Sequence, residues 1–376
     1  MSDLAAAAKQ EASHHDGTSV AHRRPGAPVA DWQDAVVEIT RVDAMDVDLD
    51  LADRLVAVDR AGLEAAGLKI PPQSGPSRMV SLQHAYDARP VDALWVATDR
   101  DDVVGWALLE LPWLENLELA RIRAVVHPTH RRQGLGTRFL DEQLAAARDN
   151  GRTSVSTIAW EGSDGVPFLE SHGFTTSGQL PYDVRRVDVH ATPPSRWQQL
   201  SDEAATRSGD YELVRITGPT PDDLLDAMVA LHDAINDAPA DEGMEADVWD
   251  AARVRAYDAS LVSRRQTAYR VLARQRSSGE WAGMSLLCVD EFAPAVAFQE
   301  DTNVVRAHRG HRLGLLMKAD MLLWLGAERP EVGAVDTWNA ADNHHMIAVN
   351  ERLGCRVIAR NIGFRRETAG VIGPLA

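Results

Sequence analysis

The chain has 376 residues, 45% of them hydrophobic, and a formal net charge of −17. That length suffices for two or three domains with real cores, and the acidic balance disfavours nucleic acid or an anionic membrane as the main partner. The two cysteines, Cys288 and Cys355, stand far apart without metal-ligand spacing, so neither a disulfide framework nor a zinc site is expected, and a cytoplasmic location is. No apolar run of about 18 residues occurs that would span a membrane, and no secretory signal is read at the start.

Residues 1–34 carry no hydrophobic period and are expected to form a flexible tail. A strand is predicted at 36–43 and an acidic helix at 49–66, with Leu51, Leu55, Val58 and Leu63 on one face. A Pro-rich loop at 69–76 precedes a helix at 78–88. Segments 93–98 and 103–111 read as a hairpin. A strand at 117–126 then feeds His127-Pro128 and the basic loop Arg131-Arg132-Gln133-Gly134-Leu135-Gly136-Thr137. An amphipathic helix follows, with Phe139, Leu140, Leu144 and Ala147 at helical spacing. A strand at 153–160, a short helix closing on Gly173-Phe174, and a terminal pair of strands at 174–179 and 182–190 complete this unit. Segment 191–209 is polar with two prolines and is assigned as a linker.

The order then restarts. A strand at 212–215, helices at 221–236 and 246–260, and a hairpin of 267–273 with 281–289 lead to a strand at 301–305. A helix within 308–325, a strand at 332–338 and a helix at 343–353 follow. Gly136 aligns with Gly314 at an offset of 178, and Gly173 with Gly354 at 181. An offset this steady marks an internal duplication, and each copy is large enough to be a domain.

The loop at 131–137 has the chemistry of an anion site. Glycine lets backbone approach a ligand, and first-turn amides lack partners within the helix. It has no Gly-Lys-Ser/Thr ending and no third glycine, so neither a Walker loop nor a dinucleotide fingerprint fits. A strand, His-Pro and Arg-x-x-Gly-x-Gly at a helix start closely resemble motif A of the GNAT N-acetyltransferases. The helix closing on Gly173-Phe174 resembles the second signature of that superfamily.

The resemblance covers about 36–375 and implies an α/β fold with a mixed sheet. Two tandem GNAT folds are expected at 35–190 and 210–376. The mycothiol synthases of this superfamily share such an arrangement, and no motif singles them out here. Acetyl-CoA is implied as co-substrate, with no metal. The resemblance assigns its pyrophosphate to the main chain of Gln133, Gly134, Leu135, Gly136 and Thr137, aided by Arg131 and Arg132. It assigns the pantetheine arm to Val125 and Val126. In the second copy the corresponding candidates are Val304, Val305, Arg309, Arg312 and Gly314. There Arg312 replaces the first glycine, and the phosphate site is expected to persist if Arg312 keeps a negative φ.

A base and an acid are harder to place. Glu118 is the candidate base, with Glu110 a second choice and a solvated surface carboxylate the plainer alternative. Glu300 or Asp301 could serve in the second copy. Many relatives carry a Tyr four residues before the closing Gly, where this chain has Leu169 and Asn350. Tyr182 is therefore the candidate acid, weighed against a packing role. His308, His311, His344 and His345 are read as surface or pocket residues, and Trp160 and Trp338 as core.

The reading is an N-acetyltransferase acting on a primary amine of a small molecule or peptide, with the better cofactor loop in the first copy. The net charge leans towards a cationic acceptor. The alternative is a non-catalytic acyl-CoA-binding sensor or scaffold.

Overall fold

The periodicities seen in the sequence resolve into a repeated order of strands and helices, and the computed structural model describes them for residues 37–85, 88–176, 182–237 and 244–369. The expected tail at 1–34 lies outside the described residues, as does 177–179 of the expected terminal pair. The first half contains β1 (Glu38–Val42), α1 (Leu49–Ala65), α2 (Gly75–Gln83), β2 (Ala93–Asp99), β3 (Asp102–Glu110) and β4 (Leu119–Val126). It continues with α3 (Leu135–Asp149), β5 (Ser154–Trp160), α4 (Gly165–Ser171), β6 (Thr175–Thr176) and β7 (Tyr182–Asp188). Asp48 caps α1 by accepting from the Leu51 amide, and Ser74 caps α2 through the Ser77 amide, which explains where both helices start.

The expected linker holds a helix of its own, α5 (Pro194–Ala205). It buries Trp197, whose indole donates to the Leu353 carbonyl at 3.1 Å, so the connector is part of the second half's core. That half contains β8 (Tyr211–Thr217), α6 (Leu225–Asp233), α7 (Ala251–Ser263), β9 (Gln266–Gln275), β10 (Trp281–Asp290) and β11 (Val296–Val304). Then come α8 (Leu313–Glu328), β12 (Ala334–Ala340), α9 (His344–Leu353) and β13 (Arg356–Glu367). The strand expected at 301–305 thus begins five residues earlier.

In each half one core lies under the α1–α2 or α6–α7 layer and another under α3 or α8. Alternation sorts β4 between them: Ile122 packs with Phe139 of α3, whereas Val125 lies against the core holding Leu55 and Trp106.

One expectation fails. The terminal strands of the first copy were expected to pair with each other, but β6 and β7 both pair with β13, the last strand of the second half. The first part of β13 pairs with β7 and its last part, Asn361 to Glu367, with β5. In return β7 pairs along its whole length with β12. The order is β1-β2-β3-β4-β5-β13-β7-β12-β11-β10-β9-β8. Each half therefore completes its sheet with the other's last strand, and from Val37 onward the chain forms one unit. No helix among the described residues is long and apolar enough to cross a membrane.

Candidate active site at two splayed strands

In both halves two parallel neighbours pair at one end and then part. Strand β4 meets β5 only at Leu119, Ala120 and Arg121. From Ile122 to Val126 the edge towards β5 keeps main-chain groups that the sheet does not use, and Val125 and Val126 lie in this stretch. Strand β11 meets β12 from Val296 to Gln299 and then diverges, leaving Val304 on the open part and Val305 just beyond it. Unused strand edges offer donors and acceptors to an extended ligand.

Each open strand ends in a loop that turns into a helix, and the two loops share one backbone path. His127 and Val305 have φ,ψ of −53°,136° and −54°,136°; Arg131 and Arg309 have −70°,160° and −70°,158°. Arg132 and Gly310 are left-handed at φ 62° and 86°, and so are Gly134 and Arg312 at 83° and 59°. The expectation that Arg312 needs a negative φ is therefore corrected. It adopts the glycine-like conformation, at a cost of about 1 kcal/mol for a residue with a Cβ, and so keeps the loop's shape. The helical ladder begins with Arg138 N–H to Gly134 in one half and Leu316 N–H to Arg312 in the other, both at 3.0 Å. The preceding amides, including those of Leu135, Gly136 and Thr137 and of Leu313 and Gly314, point out of the helix start, where the dipole favours an anion.

The arginines hold these loops more than they face a ligand. Arg131 Nε donates to the Val126 carbonyl at 3.1 Å, and Arg309 Nε to Val304 at the same distance. Arg131 also pairs with Asp164 at 2.9 Å, whereas Arg132 and Gln133 are exposed. Around the first loop, Thr137 Oγ1 lies 3.0 Å from His172 Nε2, and burial together with His130 and Arg131 lowers the pKa of His127. The second loop is braced by the connector and the start of β8: Arg312 pairs with Glu203 at 2.6 Å, Ser208 donates to the His311 carbonyl, and Tyr211 Oη lies 3.2 Å from His308 Nδ1.

The carboxylates divide differently. Glu118 stands just before β4, at the closed end of the splay, 3.3 Å from Arg365. Glu110 ends β3, and burial raises its pKa against the pull of Arg121 and Arg123. Tyr182 opens β7 in register with Ala340 and Asn361, near the centre of the sheet and off the open edge of β4. Leu169 is buried; Asn350 is buried and donates to Asn339 Oδ1 at 2.7 Å.

Glu300 and Asp301 lie within the open stretch of β11. The β10–β11 register slips there, with Ser285 opposite Thr302 and Leu287 opposite Gln299, so that both acids face the single residue Leu286. Such a bulge turns two neighbouring side chains towards one face. Crowding by protein atoms around its carboxylate, then Asp301, raises Glu300 to about 7 although its side chain is exposed to water, and burial, then Asp247, raises Asp301 to about 6. The bulge had no glycine to announce it. Trp338, expected in the core, is 39% exposed and stacks on Phe298. Among the described residues no cluster of His, Cys, Asp and Glu has the arrangement of a metal site.

The model of the acetyltransferase (GNAT) domain family matches residues 90–176, from β2 through the first loop to β6. A tandem GNAT protein from the clavulanic acid biosynthesis pathway is similar over 91% of this chain and 100% of its own, at 27% identity and a TM-score of 0.73. Residues 90–176 thus carry a GNAT domain, and the chain as a whole has the fold of a tandem GNAT protein. Its likeness to a GCN5-related N-acetyltransferase from Sphaerobacter thermophilus, at 16% identity and a TM-score of 0.63, extends over 89% of this chain and 98% of the other. No curated protein matches the sequence. The GNAT fold is present in both halves, and the strand exchange joins them.

Proposed function

We propose that this protein is an N-acetyltransferase that moves acetyl from acetyl-CoA to a primary amine of a small molecule or peptide. The observation that carries the reading is the splayed strand ending in an amide-lined helix start, present in both halves. The residues fit the coenzyme. The amides of Gln133, Gly134, Leu135, Gly136 and Thr137 would hold its diphosphate, and those from Arg312 to Gly314 would do so in the second half. The open edges at Val125, Val126 and Val304 would take the amide groups of the pantetheine arm. When bound, acetyl-CoA would supply an activated acyl carbon, to which the amine nitrogen bonds as the carbon–sulfur bond breaks. The amine must first give up a proton to a carboxylate or to water, and the departing thiolate takes one from water. Glu118 and Tyr182 remain candidates for proton transfer in the first half.

A coenzyme-binding protein without turnover is the competing reading, favoured by Leu169 and Asn350 in the place of a phenol. Calorimetric titration of acetyl-CoA into the full chain, followed by thiol release with an amine panel, separates the two. Binding weakened by Gly134→Trp, together with amine-dependent release, supports the enzyme. Binding that Gly134→Trp and Arg312→Trp both leave unchanged overturns the coenzyme site, and binding without release for any amine supports the competing reading.

A further inference from the structure

The two halves share a loop geometry, but their acceptor-side faces have opposite chemistry. In the first half that face is filled and its buried charges are paired, although Arg78 Nε has no partner. Asp59 pairs with Arg78 and accepts from the Trp106 indole at 3.1 Å, and all three are buried. Helices α1 and α2 close on each other so tightly that a Cβ on Gly75 would fall 1.8 Å from Asp53 Oδ1. Beside Val125, the β4 residues on this side include two cations: Arg123 lies over the Trp106 ring at 5.4 Å, and Arg121 is two residues before it.

In the second half Arg270 and Asp258 form a buried pair of the same kind, but the face keeps further polar atoms that have no partner in the protein. Asn303 lies opposite Met284, which places it in the α6–α7 layer. It is 6% exposed, and neither end of its amide has a partner in the protein. His232, 1% exposed, has no partner on either ring nitrogen, and it stacks on Trp249 with centroids 4.0 Å apart and an interplanar angle of 13°. The Trp249 indole N–H is also unpaired. Buried polar groups are nearly always hydrogen-bonded, and each orphan costs about 1–3 kcal/mol, so three on one layer point to a ligand that supplies what the protein does not. The bulge sets Glu300 and Asp301 on the face of Asn303, and Asp247, itself paired with Arg253 at 3.3 Å, is close enough to act on Asp301.

The first half completes this cleft. Its loop at 112–118, between β3 and β4, reaches the segment that leads into α7. Glu115 Oε1 accepts from the Val248 amide at 2.9 Å and from Arg253 at 2.6 Å. Asn116 N–H donates to Glu245 Oε2 at 2.6 Å, while the Glu245 amide donates to Asn116 Oδ1 at 2.8 Å. Arg253 in turn lies over Trp249 at 4.8 Å. The wall beside the orphaned groups is thus tied down from the other half.

We infer that the second half receives the acceptor, in a composite acidic pocket braced by the 112–118 loop, and that the acceptor is an amine bearing at least one further positive charge. The inference rests on the acyltransferase reading. Glu300 and Asp301 together suit two cationic centres better than one, and the Asn303 amide can accept from an ammonium group. The first half's Arg121 and Arg123 repel the same ligand.

The test is calorimetric titration of the full chain, at low salt, with three amines of matched length: 1,4-diaminobutane, 1-aminobutane and 4-aminobutanoate. The diamine is expected to bind one per chain and at least about ten-fold more tightly than either of the others, a gap the size of one good charge-assisted contact. The isosteric pair Glu300→Gln/Asp301→Asn should remove that preference, Glu115→Ala/Asn116→Ala should weaken it, and Arg121→Ala/Arg123→Ala should leave it intact. Circular dichroism checks that each variant is folded. Equal affinity for all three amines, or a preference that survives Glu300→Gln/Asp301→Asn, overturns the inference. If acetyl-CoA still binds and an amine still drives thiol release in that case, the acyltransferase reading stands; if acetyl-CoA binds nowhere, both fall.

Discussion

The loop after β4 and the loop after β11 differ in sequence at most positions, yet the faces beside them have diverged far more than the loops have. Gly134 became Arg312 and Arg132 became Gly310 without moving the backbone, because what an anion needs there is a set of main-chain amides at a helix start. Recognition by side chains has no such buffer. Arg121 and Arg123 on one strand and Glu300 and Asp301 on the other invert the charge offered to an acceptor. A duplicated fold can thus keep the backbone geometry of an anion site in both copies while the side chains beside it diverge.

The largest expected effect tests whether the halves are separable at all. Ending the chain at residue 355 removes β13 and leaves both β5 and β7 with an unpaired edge in the middle of the sheet. Loss of the cooperative thermal transition is expected, and the same holds for an isolated 35–190 segment. A truncated chain that melts cooperatively and still binds acetyl-CoA would mean that the strand exchange is dispensable.

Next comes the contrast between the two acceptor faces. Asp59→Ala strands the buried guanidinium of Arg78 and is expected to cost about 3–5 kcal/mol in denaturant unfolding. Asn303→Leu, nearly equal in volume, removes an amide with no partner and should be neutral or stabilising by up to about 1 kcal/mol. Similar losses at both sites would erase the distinction between a satisfied face and an open one.

A comparable effect concerns His232, whose pKa burial, then the nearby Arg270, lowers to about 4. The unfolded chain binds the proton near pH 6.5 and the folded chain does not, so stability is full above pH 6.5. It falls as the pH drops towards 4, by an amount on the order of 3 kcal/mol. In His232→Phe that part of the acid slope should vanish; an unchanged slope would show that the ring is not held neutral.

The smallest effect is at Arg312→Gly. Relief of the left-handed strain should stabilise by up to about 1 kcal/mol, less the small contribution of the half-exposed pair with Glu203. Coenzyme affinity in the second half should not fall, because the amides stay where they are.

These contrasts also mark what a reader of the chain can extract from it. The first loop was legible because Gly134 and Gly136 carry its conformational signal in their side-chain identity, and the repeat was legible because its glycines recur at a steady interval. The second loop's shape was hidden, since Arg312 takes a conformation that arginine ordinarily avoids. Strand exchange was hidden for another reason: β7 and β13 are both well-formed strands, and nothing local says which edge each will join. The bulge at Glu300 and Asp301 arises from the β10–β11 register, a property of two strands at once, so the pairing of those acids on one face could not be read from either.

The most direct test of the central claim is a crystal soak with acetyl-CoA. The account expects a diphosphate against the amides following Arg131 and a second against those following Arg309, with each pantetheine arm running along the open edge of β4 or β11. Coenzyme lodged away from both loops, or in the first alone, would contradict the claim that the backbone geometry, and not the glycine sequence, makes the site.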